Sequence, residues 1–307
     1  MTPIVSIQHL CKSFDQLKAL RSANLSVPEG SFFGLLGPNG AGKSTLINIM
    51  STLTKKDSGS VLINGFDLDT KPDFLKSSLG IVPQEFNFNF FETCEQITTF
   101  QAGYYGIPYK TAIKRSHKLL DLLGLTSKRK VPAMRLSGGM KRRLMIARAL
   151  MHQPKVLILD EPTAGVDIAI RKSMWALLRE LNADGTTIIL TTHYLEEAEA
   201  LCDRLAFINQ GQILKEGTTA SLLADLPSET VSLVVNQTKT LPDNPAFGLK
   251  KKSPRSLVTY LNNNISLTTL VKYLDDYGIS VQRVETAHSR LEELFMQVVN
   301  MEPSNND

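Results

Sequence analysis

Gly37-Pro38-Asn39-Gly40-Ala41-Gly42-Lys43-Ser44-Thr45 is the stretch on which the reading of this chain turns. It has the spacing G-x-x-x-x-G-K-[ST], with the apolar run Ser31–Leu36 before it and a helical pattern from Lys43 to about Leu53 after it. A strand, a glycine-rich turn and a helix start, in that order, form a cradle for a polyphosphate. Concentrated negative charge needs inward-pointing backbone N–H groups and the positive end of a helix, and glycines let the backbone curl without a Cβ in the way. Lys43 supplies a point charge for the terminal phosphate oxygens, and the Ser44 hydroxyl is a ligand for Mg²⁺.

Outward from this loop, Val156-Leu157-Ile158-Leu159-Asp160-Glu161-Pro162 places two acids at the end of an apolar strand. In doubly wound sheets ligands sit at that strand edge. Successive side chains of a strand diverge, so the two acids can do different work. Asp160 suits the Mg²⁺ shell beside Ser44. Glu161 suits polarising an attacking water, worth about 10²–10⁴ in rate. An isolated Asp-Glu pair is as often two solvated acids closing a strand; the phosphate loop tips the balance toward chemistry.

Further strands are expected at Ile4–Ile7, Leu25–Val27, Val61–Ile63, Leu79–Val82 and Thr187–Thr191, with a helix at Ile168–Leu181. From about Phe86 to Met151 amphipathic stretches such as His117–Leu123 and Lys141–Met151 predict a helical insertion. Alternating strands and helices make the fold class α/β. After Ala224 the composition shifts. A strand at Thr230–Val235, a loop or hairpin over Thr238–Pro254, a helix over Leu267–Tyr277, a strand at Ile279–Val284 and a helix at Arg290–Asn300 make a small α+β appendage. In the last helix Ser289 and Glu292 form a capping box, and Leu291, Leu294, Phe295, Val298 and Val299 form an apolar stripe. The expected boundaries are 1–224, with the insertion at about 86–151, and 225–307.

The 307 residues are 42% apolar and 21% charged with a net charge of +4, enough for a sizeable core and too balanced to select a partner. Cys11, Cys94 and Cys202 are far apart, without metal-ligand spacing, which points to free thiols in a reducing compartment. The first residues lack the basic and apolar pattern of a signal peptide. The apolar runs fall far short of the ~18 residues of a membrane helix, so any membrane role must come through another polypeptide. Lys141-Arg142-Arg143 spreads around a helix instead of forming one patch, which argues for a solvated face or dimer ion pairs over nucleic-acid binding.

Leu136-Ser137-Gly138-Gly139-Met140-Lys141 opens the helix that precedes the Asp160 strand, a second anion-binding helix start. Here the sequence resembles the ABC ATPases, the nucleotide-binding subunits of ATP-binding cassette transporters, whose signature commonly reads LSGGQ; Met140 stands in place of the usual Gln. The resemblance implies a P-loop NTPase ABC core with a helical subdomain, and a site divided between two copies. Gly37, Pro38, Asn39, Gly40, Ala41, Gly42, Lys43, Ser44 and Thr45 of one copy would face Ser137, Gly138 and Gly139 of the other across ATP. Gln84 resembles the Q-loop glutamine, Ala164-Gly165-Val166-Asp167 the D-loop and His193 the switch histidine, while Phe14 lies where the family stacks a ring on adenine. Catalysis is thereby assigned to Glu161, His193, Gln84 and Lys43, and Mg²⁺ to Ser44, Gln84 and Asp160. His9, His117, His152 and His288 have no such placement and are read as surface or packing residues.

The resemblance is dense over about residues 1–220. It is weaker at Leu291-Glu292-Glu293-Leu294-Phe295, which is similar to a C-terminal element of bacterial ABC-2-type exporters such as the daunorubicin-resistance subunits. It implies ATP and Mg²⁺ as cofactors, a homodimer within a two-plus-two complex, an ABC-2-type permease partner, no nucleic acid, and a peripheral place on the cytoplasmic side of the inner (plasma) membrane. Glu85–Phe91, with four phenylalanines, is either core of the helical subdomain or the lining of a groove for a permease helix. The competing classes are an importer ATPase, a soluble ABC ATPase and a non-hydrolysing regulatory cassette. A single cassette without heptads argues against the second, and intact Lys43, Glu161 and His193 argue against the third.

Overall fold

The run before Gly37 becomes a strand of a six-stranded sheet and the run after it a helix in the computed structural model, which describes residues 3–224, 226, 228–236, 247–262, 266–286 and 289–299. The chain opens with a long hairpin, β1 (Pro3–Phe14) and β2 (Leu17–Pro28), turned at Asp15 with φ 50°. There follow β3 (Phe32–Leu36), α1 (Lys43–Met50), β4 (Ser58–Ile63), β5 (Phe66–Asp67), α2 (Pro72–Ser78) and β6 (Leu79–Val82). The insertion holds α3 (Cys94–Tyr104), α4 (Tyr109–Leu122) and α5 (Gly138–Ala149). Then come β7 (Val156–Asp160), α6 (Ile168–Ala183), β8 (Thr187–Thr191), α7 (Leu195–Leu201) and a hairpin of β9 (Arg204–Asn209) and β10 (Gln212–Thr218).

One sheet runs β2-β1-β4-β5, all antiparallel; the other runs β10-β9-β3-β8-β7-β6, parallel except at β10. Strands β3, β7 and β8 are largely apolar, with Asp160 closing β7 and threonines at both ends of β8, because both faces of the parallel sheet are covered: every residue of β3 and β8 is buried. The main core joins β1, β2 and β4 to β3, β7, β8, β9 and α1. Both hairpin strands are longer than their apolar pattern predicts, because register shifts between Ile7 and Leu10 break the in–out alternation. Helix α1 is shorter than predicted. Thr52 leaves it with φ 63°, and Leu53, taken as its last residue, is 77% exposed.

The chain divides into two compact units, the first running to Thr219 and the second beginning at Ala220. The second unit contains most of α8 (Thr219–Ala224), then β11 (Ser228–Val235), β12 (Lys250–Ser253), β13 (Ser256–Asn262), α9 (Leu267–Asp276), β14 (Val281–Thr286) and α10 (Arg290–Val299), with sheet order β12-β13-β11-β14. Within the Thr238–Pro254 stretch, read as a loop or hairpin, residues 247–254 are described and include β12, while 238–246 lie outside the described residues. The strand expected at Ile279–Val284 starts two residues later. Ile279 instead closes α9 through its N–H to the Leu274 carbonyl and is buried in the small core. Ser289 Oγ accepts the Glu292 N–H at 3.1 Å, and Leu291, Leu294 and Val298 are buried while Phe295 and Val299 are half-buried.

Leu274→Ala should destabilise the small unit by about 2–5 kcal/mol through the cavity it leaves. Amide hydrogen exchange should then rise in β11 and β13 and stay unchanged in β7 and β8.

Candidate nucleotide site

Gly42 is the N-cap of helix α1, and its φ of 108° is closed to residues with a Cβ; an added Cβ would also lie 2.8 Å from the Ala19 carbonyl. The glycine is therefore demanded by the backbone and by the β2 edge, a more local reason than room for phosphate. No side chain caps this helix start, so its first N–H groups face outward without intrahelical partners. Lys43 is buried and its ammonium donates to the carbonyls of Gly37 at 2.7 Å and Pro38 at 3.0 Å. Burial lowers its pKa, and the carboxylates of Glu161 and Asp160 act in the opposite sense.

The two acids diverge for a different reason from the one the strand pattern offers. Strand β7 ends at Asp160, and Glu161 turns into the left-handed region with φ 47°, a conformation costing of order 1–3 kcal/mol. The turn is held from β8: the Glu161 N–H donates to the Thr191 carbonyl at 3.0 Å, and the Thr191 hydroxyl donates to Asp160 Oδ1. Glu161 Oε2 then receives the Gln84 amide at 3.0 Å and lies 3.2 Å from His193 Nδ1. The His193 ring packs on Tyr194, centroids 4.0 Å apart, and the Arg171 guanidinium sits 4.2 Å over the other ring.

A cavity of about 900 Å³ gathers these groups: its lining includes Phe14, Lys43, Gln84, Asp160, Glu161 and His193, together with Asn39–Gly42, Ser44 and Thr45. Gly37 and Pro38 touch it only through Lys43. Phe14 is 46% exposed at the hairpin end, with Lys12 Nζ 5.2 Å over its ring, so it is no core residue. Ser44, Asp160 and the carbonyl oxygen of Gln84, whose amide nitrogen is turned to Glu161, are hard oxygen donors. Such a sparse set fits Mg²⁺, which keeps waters and phosphate oxygens in its shell. Among the described residues there is no cluster of three or more His, Cys, Asp or Glu that could hold a metal by itself.

Ser137, Gly138 and Gly139 are not brought into this cavity. Ser137 caps α5 by accepting the Met140 N–H at 3.3 Å. A Cβ on Gly139 would lie 2.7 Å from the Ile170 side chain, so α5 and α6 meet closely there, while Gly138 faces open space. Asp167 caps α6 by accepting the Ile170 N–H at 2.8 Å.

The basic run after the signature is a correction, being neither a solvated face nor a patch. Arg142 is 4% exposed and donates to the carbonyls of Pro83 and Gln84, both at 2.9 Å, with its guanidinium 5.1 Å over Phe86. Lys141 lies over Phe90, and Arg143 reaches Leu123 and Ser173. Among the other histidines, His117 pairs with Glu95 and His152 stacks on Tyr105, His9 bonds Asn24 and Ser22 on the hairpin, and His288 lies outside the described residues. Thr191, Tyr194, Arg171 and Arg142 are the site-supporting residues the sequence reading missed. Only Thr191 had a signal, a hydroxyl ending a buried apolar strand.

A family profile described as ABC transporter matches residues 20–164. The chain is 38% identical to the Linearmycin resistance ATP-binding protein of Bacillus subtilis over 74% of this chain and 73% of that one. It is 34% identical to a Nod factor export ATP-binding protein I of Burkholderia pseudomallei over 97% of each. Among solved structures it resembles a dimeric ATP-binding cassette in a post-hydrolysis state bound to ADP and Pi, with a TM-score of 0.63 and 28% identity over 70% of this chain and 98% of that one.

Tyr194→Ala should free the His193 imidazole. A ring–ring contact such as that of Tyr194 with His193 is worth about 0.5–1.5 kcal/mol, so ATP turnover should fall roughly 2- to 13-fold with ATP affinity little changed, and Tyr194→Phe should restore it. Steady-state kinetics of the three proteins checks this.

Proposed function

As this chain belongs to the ATP-binding subunits of ABC transporters, a family of ATP hydrolases, we propose that it powers an ABC-2-type exporter by closing on ATP as a homodimer and reopening after hydrolysis. The reading rests above all on Glu161, whose carboxylate is held between Gln84 and His193 at the rim of the phosphate loop.

In this reading the first unit is the nucleotide-binding domain and residues 225–307 a separate C-terminal domain. Phe14 stacks on adenine. The outward N–H groups at the start of α1 and the Lys43 ammonium grip the β- and γ-phosphates. Ser44, Asp160 and the side-chain carbonyl oxygen of Gln84 would hold Mg²⁺, which would supply positive charge against the phosphates. Glu161 orients a water and accepts its proton as the oxygen attacks the γ-phosphorus; the bond to the bridging oxygen breaks, releasing ADP and phosphate. His193 Nδ1 faces Glu161, and with both ring nitrogens protonated its Nε2 would donate to a γ-phosphate oxygen. Ser137, Gly138 and Gly139 of a second copy close the site from the far side, consistent with their absence from the cavity of their own chain.

Export is favoured over import because the relatives named above are a resistance protein and an export protein. In this reading a permease supplies the path and the chain works peripherally at the cytoplasmic face of the inner membrane; among the described residues no helix is long and apolar enough to cross a membrane. Phe86, Phe88 and Phe90 pack on one another with centroids 6.1 and 5.3 Å apart, while Phe90 and Phe91 are 36% and 78% exposed. The cluster is thus partly internal, and its exposed rings are the contact proposed for a permease helix.

Glu161→Gln should lower turnover by about 10²–10⁴ while leaving ATP binding intact, and with Mg·ATP it should shift the protein to a dimer in light scattering. Near-normal hydrolysis would refute the assigned base. Replacing Phe90 and Phe91 by alanine should release the permease on copurification and preserve the hydrolysis of the isolated subunit.

A further inference from the structure

The net charge of +4 conceals a segregation. Between Tyr104 and Lys155 there are thirteen lysines and arginines and a single carboxylate, Asp121, so this stretch carries +12 and the rest of the chain −8. Asp121 is itself occupied, accepting from Arg129 and from the Thr126 hydroxyl. Several cations are spent internally, as Arg115, Arg142 and Arg148 are on backbone carbonyls. Lys110, Lys114 and Lys118 are not. They stand at i, i+4 and i+8 of α4, all exposed, and among the described residues none is in an ion pair. The buried seam of the same helix is Ala112, Ser116 and Leu120, two residues out of phase, so the lysine row points directly away from the protein. Like charges at this spacing disfavour a helix, so nothing local explains the row.

At the N-terminal end of the row lies an aromatic cluster. Phe100, Tyr104 and Tyr109 are 54%, 87% and 68% exposed and border a cleft of about 500 Å³ where α3 ends and α4 begins. Exposed aromatic rings beside a row of lysines are the chemistry of a bilayer interface: amphipathic rings at headgroup depth, cations against anionic phosphates. A nucleic-acid backbone would use the cations but leave these rings without a role unless bases were unstacked.

We propose that the outward face of α4, with the aromatic end of α3, rests on the anionic phospholipid headgroups of the membrane that holds the permease. This rests on the reading of the chain as a membrane transporter subunit. The contact would add a second attachment besides the permease and set the tilt of the helical insertion beneath the bilayer.

The test uses the full chain, without permease, in sedimentation with vesicles of phosphatidylglycerol mixed into phosphatidylcholine and of phosphatidylcholine alone. Binding is expected only to the anionic vesicles and should weaken with salt. The combined variant Lys110→Gln, Lys114→Gln, Lys118→Gln should bind on the order of 10²-fold more weakly. Tyr104→Ser with Tyr109→Ser should abolish the binding that survives high salt. Both variants should hydrolyse ATP as the parent does, which shows that they fold. Equal binding to both vesicle types, no binding to either, or lysine variants that bind as the parent would overturn the proposal. So would variants that keep vesicle binding and lose the permease, which would give this face to the permease instead. Loss of permease copurification by the unaltered chain would instead count against the transporter reading and leave the vesicle result to stand by itself.

Discussion

Everything at the site hangs on how the chain leaves strand β7. Glu161 adopts a left-handed backbone that an ordinary residue avoids, and β8 holds it there through the Thr191 carbonyl and hydroxyl. The strain is supportable because β7 and β8 pair in parallel register along their whole length inside a sheet buried on both faces. Released from that pairing, Glu161 would continue the strand and its carboxylate would leave both Gln84 and His193. Just beyond it, buried Glu197 accepts from Thr163 and Trp175, tying the turn to α6 and α7.

A second constraint runs from the signature helix. Arg142 carries a charge into a nearly closed environment, where burial alone lowers its pKa. Two backbone carbonyls and the face of Phe86 meet most of the cost, although its Nε has no partner. Those carbonyls belong to Pro83 and Gln84. The helix that presents Ser137 and Gly138 outward therefore also grips the backbone of the residue that donates to Glu161. A displacement of α5 is felt at the carboxylate without any wire longer than one side chain.

The helical insertion separates its tasks by face. Its inward cations are committed to carbonyls, and its signature start is capped by its own serine. The outward face of α4 keeps uncompensated lysines beside exposed rings. A balanced total charge hides this, because the negative remainder lies elsewhere in the chain.

The sequence by itself determined the strand–loop–helix around Gly37, the bounds of β6, β7 and β8, and many of the residues that meet in the cavity, though not Leu17, Lys18, Ala19, Arg21 or Gln210, which also line it. It could do so because short spacings and apolar runs carry that information locally. It could not foresee the left-handed turn at Glu161, the burial of Arg142, the stack of Arg171 on Tyr194 and of Tyr194 on His193, or the shift of β14. Each depends on residues far apart in the chain: Thr191 against Glu161, Pro83 against Arg142, the small core against Ile279. Only packing decides which of several locally acceptable conformations a segment takes, and at these positions packing chose against the pattern.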